Sequence, residues 1–429
     1  MSPGATTERF RAFARRSREV VLLAAITGVV TGFGVALFDR IVVDGILDHL
    51  FELSPWVLAF MPLCGLALAG LALHLVARSH DSGMTDLYLR AFHDPEQPLR
   101  VRELPGRMLA AIATAGFGGA MGLEGGSLYL GSSVGSFLQT RFPRFTEGSS
   151  RRVLMVAGAA AGVAAIFKAP ATGAIFALEV PYQEDLARRM LLPALVASAS
   201  GYLAFVAVND TTPLFPAHGA PPLSFADLAG AVALGIAAGI CARGFAWLLL
   251  AAKNLIPRYA PWMRVVGAGL TLAALFGIVY LLTDEPVAIG IGYHTIDWAV
   301  APDRALWLLG IVLLARCLAT AATVAGGGVG GLFIPLVVAG ALLGRMAVDV
   351  VGDGNTTLFV VVGVAAFLGA GYRVPLAAVM FVAETTGRPG FVVPGLLAAV
   401  AASLVMGRGS VTTYQRGSTS PPEPPVPRE

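Results

Sequence analysis

One carboxylate stands alone in a long uncharged stretch: Glu124 is the only Asp, Glu, Lys or Arg between Arg107 and Arg141. An ionised side chain at mid-bilayer costs about 3 kcal/mol on insertion scales and more in simulations. Such a residue is kept for function, or it sits at a helix end near the interface. Its neighbours Gly122, Gly125 and Gly126 favour function, because glycine lets backbone N–H groups approach an anion closely. A helix opening there would aim its positive dipole end at the same point. A carboxylate in that cradle mimics an anion: it occupies the site, or leaves on protonation and admits a small anion.

A second cradle lies downstream. Gly326–Gly331 leads into Leu332-Phe333-Ile334-Pro335, where another helix N-terminus would offer N–H groups that a bound anion satisfies. Packing of helices through small residues is the plainer reading of that run. Asp81-Ser82-Gly83-Met84-Thr85 forms a polar break that reads alone as a turn. His49, His74, His80, His93, His218 and His294 show no metal-ligand spacing, so neither a metal nor another cofactor is expected.

The elements that must position these residues are membrane helices. Of 429 residues 56% are hydrophobic and only 13% charged, with mean hydropathy +0.73, against about 25% charge in a soluble domain. That bias spreads over the whole chain and implies an all-α polytopic membrane protein. A net charge of +3 points to no nucleic acid. Arg9, Arg11, Arg15, Arg16 and Arg18 precede the first apolar run, which places the N-terminus in the cytoplasm; no removable signal is read. Cys64, Cys241 and Cys317 lie in apolar segments and read as buried small hydrophobes.

Val20–Phe38, Trp56–Ala77, Leu191–Val208, Val265–Leu282 and Phe391–Gly407 are long enough to span a bilayer without a charge inside. Val153–Phe167, Ala169–Leu178 and Val374–Ala383 are short and separated by Pro, Gly or one basic residue. They are helices with misjudged ends, or half-helices that stop inside the membrane, which is tolerated only around a protected cavity. Paired interrupted segments in two halves point to a transporter's binding site.

Two halves are present. Gly118–Gly126 is echoed by Gly327–Pro335 at an offset of 209, and Phe167-Lys168-Ala169-Pro170 through Glu179 by Tyr372-Arg373-Val374-Pro375 through Glu384 at 205. The chain divides into a basic cytoplasmic N-terminus (1–18), membrane halves at 19–210 and 211–416, and a Pro/Ser-rich tail, 417–429, expected to be disordered. No soluble regulatory domain is expected after the membrane part.

These residues bring the chain close to a known family: it resembles the CLC chloride channels and chloride/proton antiporters, of the prokaryotic type without regulatory domains. Gly122-Leu123-Glu124-Gly125-Gly126 is similar to the family's Gly-Arg-Glu-Gly-Pro motif, with Leu123 for Arg and Gly126 for Pro. Gly331-Leu332-Phe333-Ile334-Pro335 matches Gly-x-Phe-x-Pro fully, and Ser82-Gly83 keeps part of Gly-Ser-Gly-Ile-Pro. Lys168-Ala169-Pro170 through Glu179 resembles the Asn-Ala-Pro segment. The likeness runs from about Ser17 to Tyr414.

The resemblance implies two inverted-topology repeats of tilted and broken helices, with the ion site where helix N-termini meet. It implies a homodimer with one pore per subunit in the plasma (inner) membrane. Glu124 would be the gating, proton-carrying glutamate; Gly122, Leu123 and Gly125 its loop; Leu332 and Phe333 N–H groups, with Gly331 and Ile334, the Ser82 hydroxyl and Gly83, the anion site. The family's tyrosine hydroxyl from near the C-terminus falls on Tyr414, or on Thr412 in a shifted alignment. Ser82 in place of Pro suggests chloride over nitrate, and the loop lacks the Asn pair of the fluoride-exporting branch. One departure weighs most. Where familiar exchangers carry two adjacent glutamates, this chain reads Glu179-Val180, and valine cannot relay a proton; Glu184 and Asp185 lie near, though a solvated helix end is the plainer reading of them.

The expected function is chloride transport gated by a protonatable glutamate, as Cl⁻/H⁺ exchange, or as a passive chloride channel because of Val180. Other small monovalent anions are further candidates for the site. An intramembrane enzyme with Glu124 as general acid or base lacks partners, since no Ser–His, Asp–Asp or His–Glu–His set shares its segment. A purely structural protein would have little use for two anion-ready loops.

Overall fold

The computed structural model describes residues 3–417 apart from 80, 95, 144–151, 212–223 and 352–354, with side chains from Arg18 onward except at 350 and 351. The basic N-terminal side chains before Arg18, His80, His218 and the tail from 418 therefore lie outside the described residues.

Among those residues all regular structure is helical. The first eight main helices are α1 (Pro3–Val42), α2 (Met61–Ala72), α3 (Met84–His93), α4 (Leu104–Gly116), α5 (Glu124–Arg141), α6 (Val153–Phe167), α7 (Pro170–Glu179) and α8 (Leu191–Val206). Eight more repeat them: α9 (Phe225–Leu255), α10 (Pro261–Thr283), α11 (Tyr293–Val300), α12 (Leu306–Ala325), α13 (Phe333–Val351), α14 (Thr356–Tyr372), α15 (Pro375–Thr386) and α16 (Val392–Met406). From α2 onward each starts 200–209 residues before its counterpart, as Met61 precedes Pro261 and Glu124 precedes Phe333.

Among the described residues, seven helices are long and apolar enough to cross a membrane. Five coincide with the expected spans. Phe225–Leu255 and Leu306–Ala325 are hidden in the sequence by internal charges, chiefly Arg243 and Arg316. Arg316 is 2% exposed because three backbone carbonyls absorb its guanidinium.

The short segments are true half-helices. Proline at the first position of α7 and α15 forfeits an N–H that has no helical partner anyway. Lys168 and Arg373, at φ 54° and 57°, turn the chain sharply just before each. The two helices cap one another. Glu384 of α15 accepts from the N–H of Ala171 (2.9 Å) and Thr172 (2.7 Å) in α7. Glu179 of α7 accepts from Leu376 (3.1 Å) and Ala377 (2.8 Å) in α15. Each N-terminus thus lies against the other's C-terminal end, so equivalent helices run antiparallel and the halves are inverted.

Helices α6, along its whole length, and α14, from Leu358 to Tyr372, are buried on all sides, as all-apolar helices must be when others sheath them. Their packing rests on backbone contact. A Cβ added to Gly131 or Gly158 would lie 2.0 or 1.9 Å from the other's carbonyl oxygen, and Gly340 with Gly363 repeats the approach in the second half.

Candidate functional site

The site grows from two loops that meet on the pseudo-two-fold axis. Gly122 and Gly331, equivalent by the 209 offset, exchange backbone hydrogen bonds of 2.9 and 2.8 Å in an antiparallel bridge. Immediately after them α5 begins at Glu124 and α13 at Phe333, so two positive helix ends face one place. A reciprocal pair fixes the loops. The Ala120 N–H donates to Thr323 Oγ1 (3.2 Å), and the Val329 N–H to Thr114 Oγ1 (3.0 Å).

Glu124 is 2% exposed. Its Oε1 accepts from the Phe333 N–H, and its Oε2 is buried without a hydrogen-bond partner among the described residues. The seat depends on the glycines: a Cβ on Gly331 would come within 2.1 Å of Oε1, and one on Gly122 within 1.9 Å of Oε2. Gly125 lets α5 pass Gly330, whose carbonyl oxygen would lie 2.4 Å from an added Cβ. Leu123 and Ile334 are buried. Behind Phe333 its ring meets Phe167 at 4.4 Å, Phe381 at 4.9 Å and Phe176 at 5.4 Å between centroids.

The next N–H in the same turn has a different partner: Leu332 donates to the Tyr372 hydroxyl at 3.3 Å. Consecutive N–H groups of one helix start therefore hold a carboxylate and a phenol. Below them opens a cavity of about 440 Å³, lined among others by Ser82, Gly83, Thr85, Leu332, Tyr372 and Thr412. Its mouth carries two ion pairs, Arg90–Asp81 at 3.2 Å and Lys253–Asp86 at 2.6 Å.

The structure brings Glu124, Gly122, Gly125, Gly331 and Phe333 together, and sets Ser82, Gly83 and Leu332 on the cavity beside them. Tyr414 is placed differently from expectation. It lines the cavity mouth at 37% exposure and its hydroxyl accepts from Arg90 at 2.6 Å. The tyrosine that reaches the Leu332 N–H is Tyr372, because α14 runs through the core and delivers its C-terminal end to the site. Thr412 is buried on the cavity with its hydroxyl 2.9 Å from Ser410.

Two arginines escaped the sequence reading. Buried Arg107 donates to the Asp81 carbonyl, Ser79 Oγ and Glu103, holding the Ser82 loop. Arg316, at the same 209 offset, donates to the carbonyls of Ile289, Gly290 and Ile291 before α11. That shared offset was the available signal. Val180 is fully buried. Glu184 pairs with Arg373 and is 71% exposed, and Asp185 pairs with Arg188, so both are solvated side chains.

Comparison with known proteins bears on the family and the fold. A family model described as voltage gated chloride channel matches residues 64–407. The "H(+)/Cl(-) exchange transporter ClcA" of Salmonella arizonae is 26% identical over 411 residues, covering 90% of this chain and 85% of that protein; the ClcA of Salmonella paratyphi B matches equally. In fold the chain is similar to a slow cyanobacterial Cl⁻/H⁺ antiporter (TM-score 0.78, 20% identity, 90% of this chain and 94% of that one). It is also similar to a CLC-type fluoride/proton antiporter (TM-score 0.80, 22% identity, 93% and 98%).

Proposed function

From the premise that this chain belongs to the voltage-gated chloride channel family, we propose that it exchanges chloride for protons across the plasma (inner) membrane, with Glu124 as the protonatable gate. The family places it among membrane transport proteins and not among enzymes. The observation that carries the reading is the seat of Glu124: its carboxylate rests on the Phe333 N–H, between two glycines, one residue from the Leu332 N–H and the Tyr372 hydroxyl.

Chloride binds below that carboxylate, held by the Leu332 N–H and the Ser82 and Tyr372 hydroxyls. Dipoles without a full positive charge bind moderately, so the ion can also leave. Protonation removes the charge that fastens Glu124 to the helix ends. The neutral side chain swings out, an anion takes its place, and the proton travels with the side chain. Two copies form a dimer with one path each, and the N-terminus lies in the cytoplasm. A passive chloride channel is the second reading, favoured by one observation, the buried Val180 where familiar exchangers of the family carry a carboxylate.

Reconstitution into liposomes under a chloride gradient, with a chloride electrode and an internal pH probe, decides between them. Proton movement against its own gradient is expected. Chloride flux with a silent pH probe would establish the channel instead.

A further inference from the structure

Tyr372 reaches the anion site from the end of a helix, and a helix end needs partners. The last four carbonyls of α14 lack helical donors, and each finds another. Gly369 and Ala370 accept from the N–H groups of Val374 (3.0 Å) and Arg373 (3.2 Å) in the turn that follows. Gly371 and Tyr372 are served by the C-terminal segment. Gly371 accepts from the Val411 N–H at 3.0 Å, and Tyr372 from Gln415 Nε2 at 2.7 Å. The same Nε2, with two N–H groups to give, also donates to the Val180 carbonyl at 2.9 Å, just past the end of α7. One amide thus ties the last residue of α14 to the position where familiar exchangers carry a carboxylate.

Holding the segment in place does not require this amide. Lys253 grips the Val411 carbonyl at 3.0 Å, Asp86 the Thr413 N–H at 3.0 Å, and Arg90 the Tyr414 hydroxyl at 2.6 Å. Beyond it the Arg416 N–H donates to Pro181 at 3.2 Å, and the Arg416 carbonyl accepts from Gln183 at 3.0 Å. Gln415 is also costly, because its Oε1 is buried without a hydrogen-bond partner among the described residues, a penalty an apolar side chain would avoid. What it supplies is the grip on Tyr372. The counterpart of Tyr372 at offset 205 is Phe167, whose ring packs on Phe333 without a hydroxyl, so the core needs only the ring. The Tyr372 hydroxyl instead meets the Leu332 N–H at 3.3 Å and lines the cavity. Its ring is fully buried beside Phe176 and Phe333, so the hydroxyl stands where the last turn of α14 puts it.

Resting on the anion site of the proposed function, we propose that Gln415 is a positioning residue for that site. By joining the Tyr372 carbonyl to the Val180 carbonyl, it sets the Tyr372 hydroxyl at the Leu332 N–H, where chloride binds. Gln415 sits on the backbone side of Tyr372 and carries no charge, so it acts on chloride through that tyrosine alone.

The test is chloride binding to the full chain in detergent, read by titration calorimetry. Tyr372→Phe should weaken binding about fivefold, the order for one neutral hydrogen bond. Gln415→Met, of similar length but without a donor, should weaken it by a similar factor. The double variant should bind no more weakly than Tyr372→Phe alone, since two residues acting through one hydroxyl are not additive. Gln415→Asn keeps the amide but falls a methylene short of the two carbonyls. It should match Gln415→Met, and it decides the matter if that variant fails to fold. A merely structural amide would lower Tm and leave the chloride affinity at the wild-type value. That result, or losses that multiply in the double variant, overturns the assignment while leaving Tyr372 in the site. Wild-type affinity in Tyr372→Phe removes its hydroxyl from the anion site and overturns both.

Discussion

At the scale of single residues, the proposed function makes the site a competition between one side chain and one ion for the N–H groups where α13 begins. Glu124→Gln keeps the shape of the seat but removes the negative charge and the titration, so proton coupling should vanish while chloride flux persists. Uphill proton transport in that variant would remove Glu124 from the coupling step. Gly331→Ala tests the seat from the other side: its methyl would collide with the Glu124 carboxyl. The side chain should then be held off the Phe333 N–H and chloride flux should lose its dependence on pH, read from flux at two external pH values. Ser82 bears on selectivity. Its hydroxyl can donate to a compact, charge-dense anion more effectively than to a diffuse one, so Ser82→Pro should shift preference from chloride toward nitrate. An unchanged chloride/nitrate ratio in competing flux assays would exclude Ser82 from contact with the ion.

At the scale of elements, the half-helices are held by each other's carboxylates. A buried helix start in a membrane protein has no water to satisfy its N–H groups, and Glu384 and Glu179 take that task for α7 and α15. Glu384→Ala should lower stability by about 2 kcal/mol, the upper end for loss of a cap, seen as a lower Tm in detergent micelles. Glu384→Gln, which keeps an acceptor, should lose less. How legible these elements were depended on what marks them. Glycine and proline mark backbone geometry locally, so the Gly122 and Gly331 loops, the helix starts after them and the repeat could be read from spacing. Glu179 and Glu384 were visible as an echo at offset 205, yet their roles as mutual caps require knowing that α7 and α15 lie antiparallel. Tyr372 ends an apolar run and looks like core. Only the packing of α14 between its neighbours gives its hydroxyl to Leu332, whereas the family resemblance points to Tyr414, or to Thr412 in a shifted alignment. Arg316 misled in the opposite sense, since its charge concealed a span, while three carbonyls of the loop before α11 take up that charge.

At the scale of the whole molecule, inversion of the halves ties every helix direction to one choice of side. In the proposed orientation, the arginines in the first turns of α1, Arg9 to Arg18, set that choice with the N-terminus inside. The far end of α1 then lies outside, and there Arg40 and Asp39 bind Asn209 just beyond the end of α8. The chain must therefore re-enter from the outside at Phe225, which opens α9 and is 88% exposed. Helix α9 carries Lys253 inward to the cavity mouth, where it meets Asp86 and the Val411 carbonyl of the C-terminal segment. In a background lacking Cys64, Cys241 and Cys317, Phe225→Cys should react with a membrane-impermeant maleimide on intact cells. Thr413→Cys should react only after the membrane is opened. The reverse labelling would invert the molecule and place the cavity lined by Asp86, Lys253 and Thr413 on the outer face.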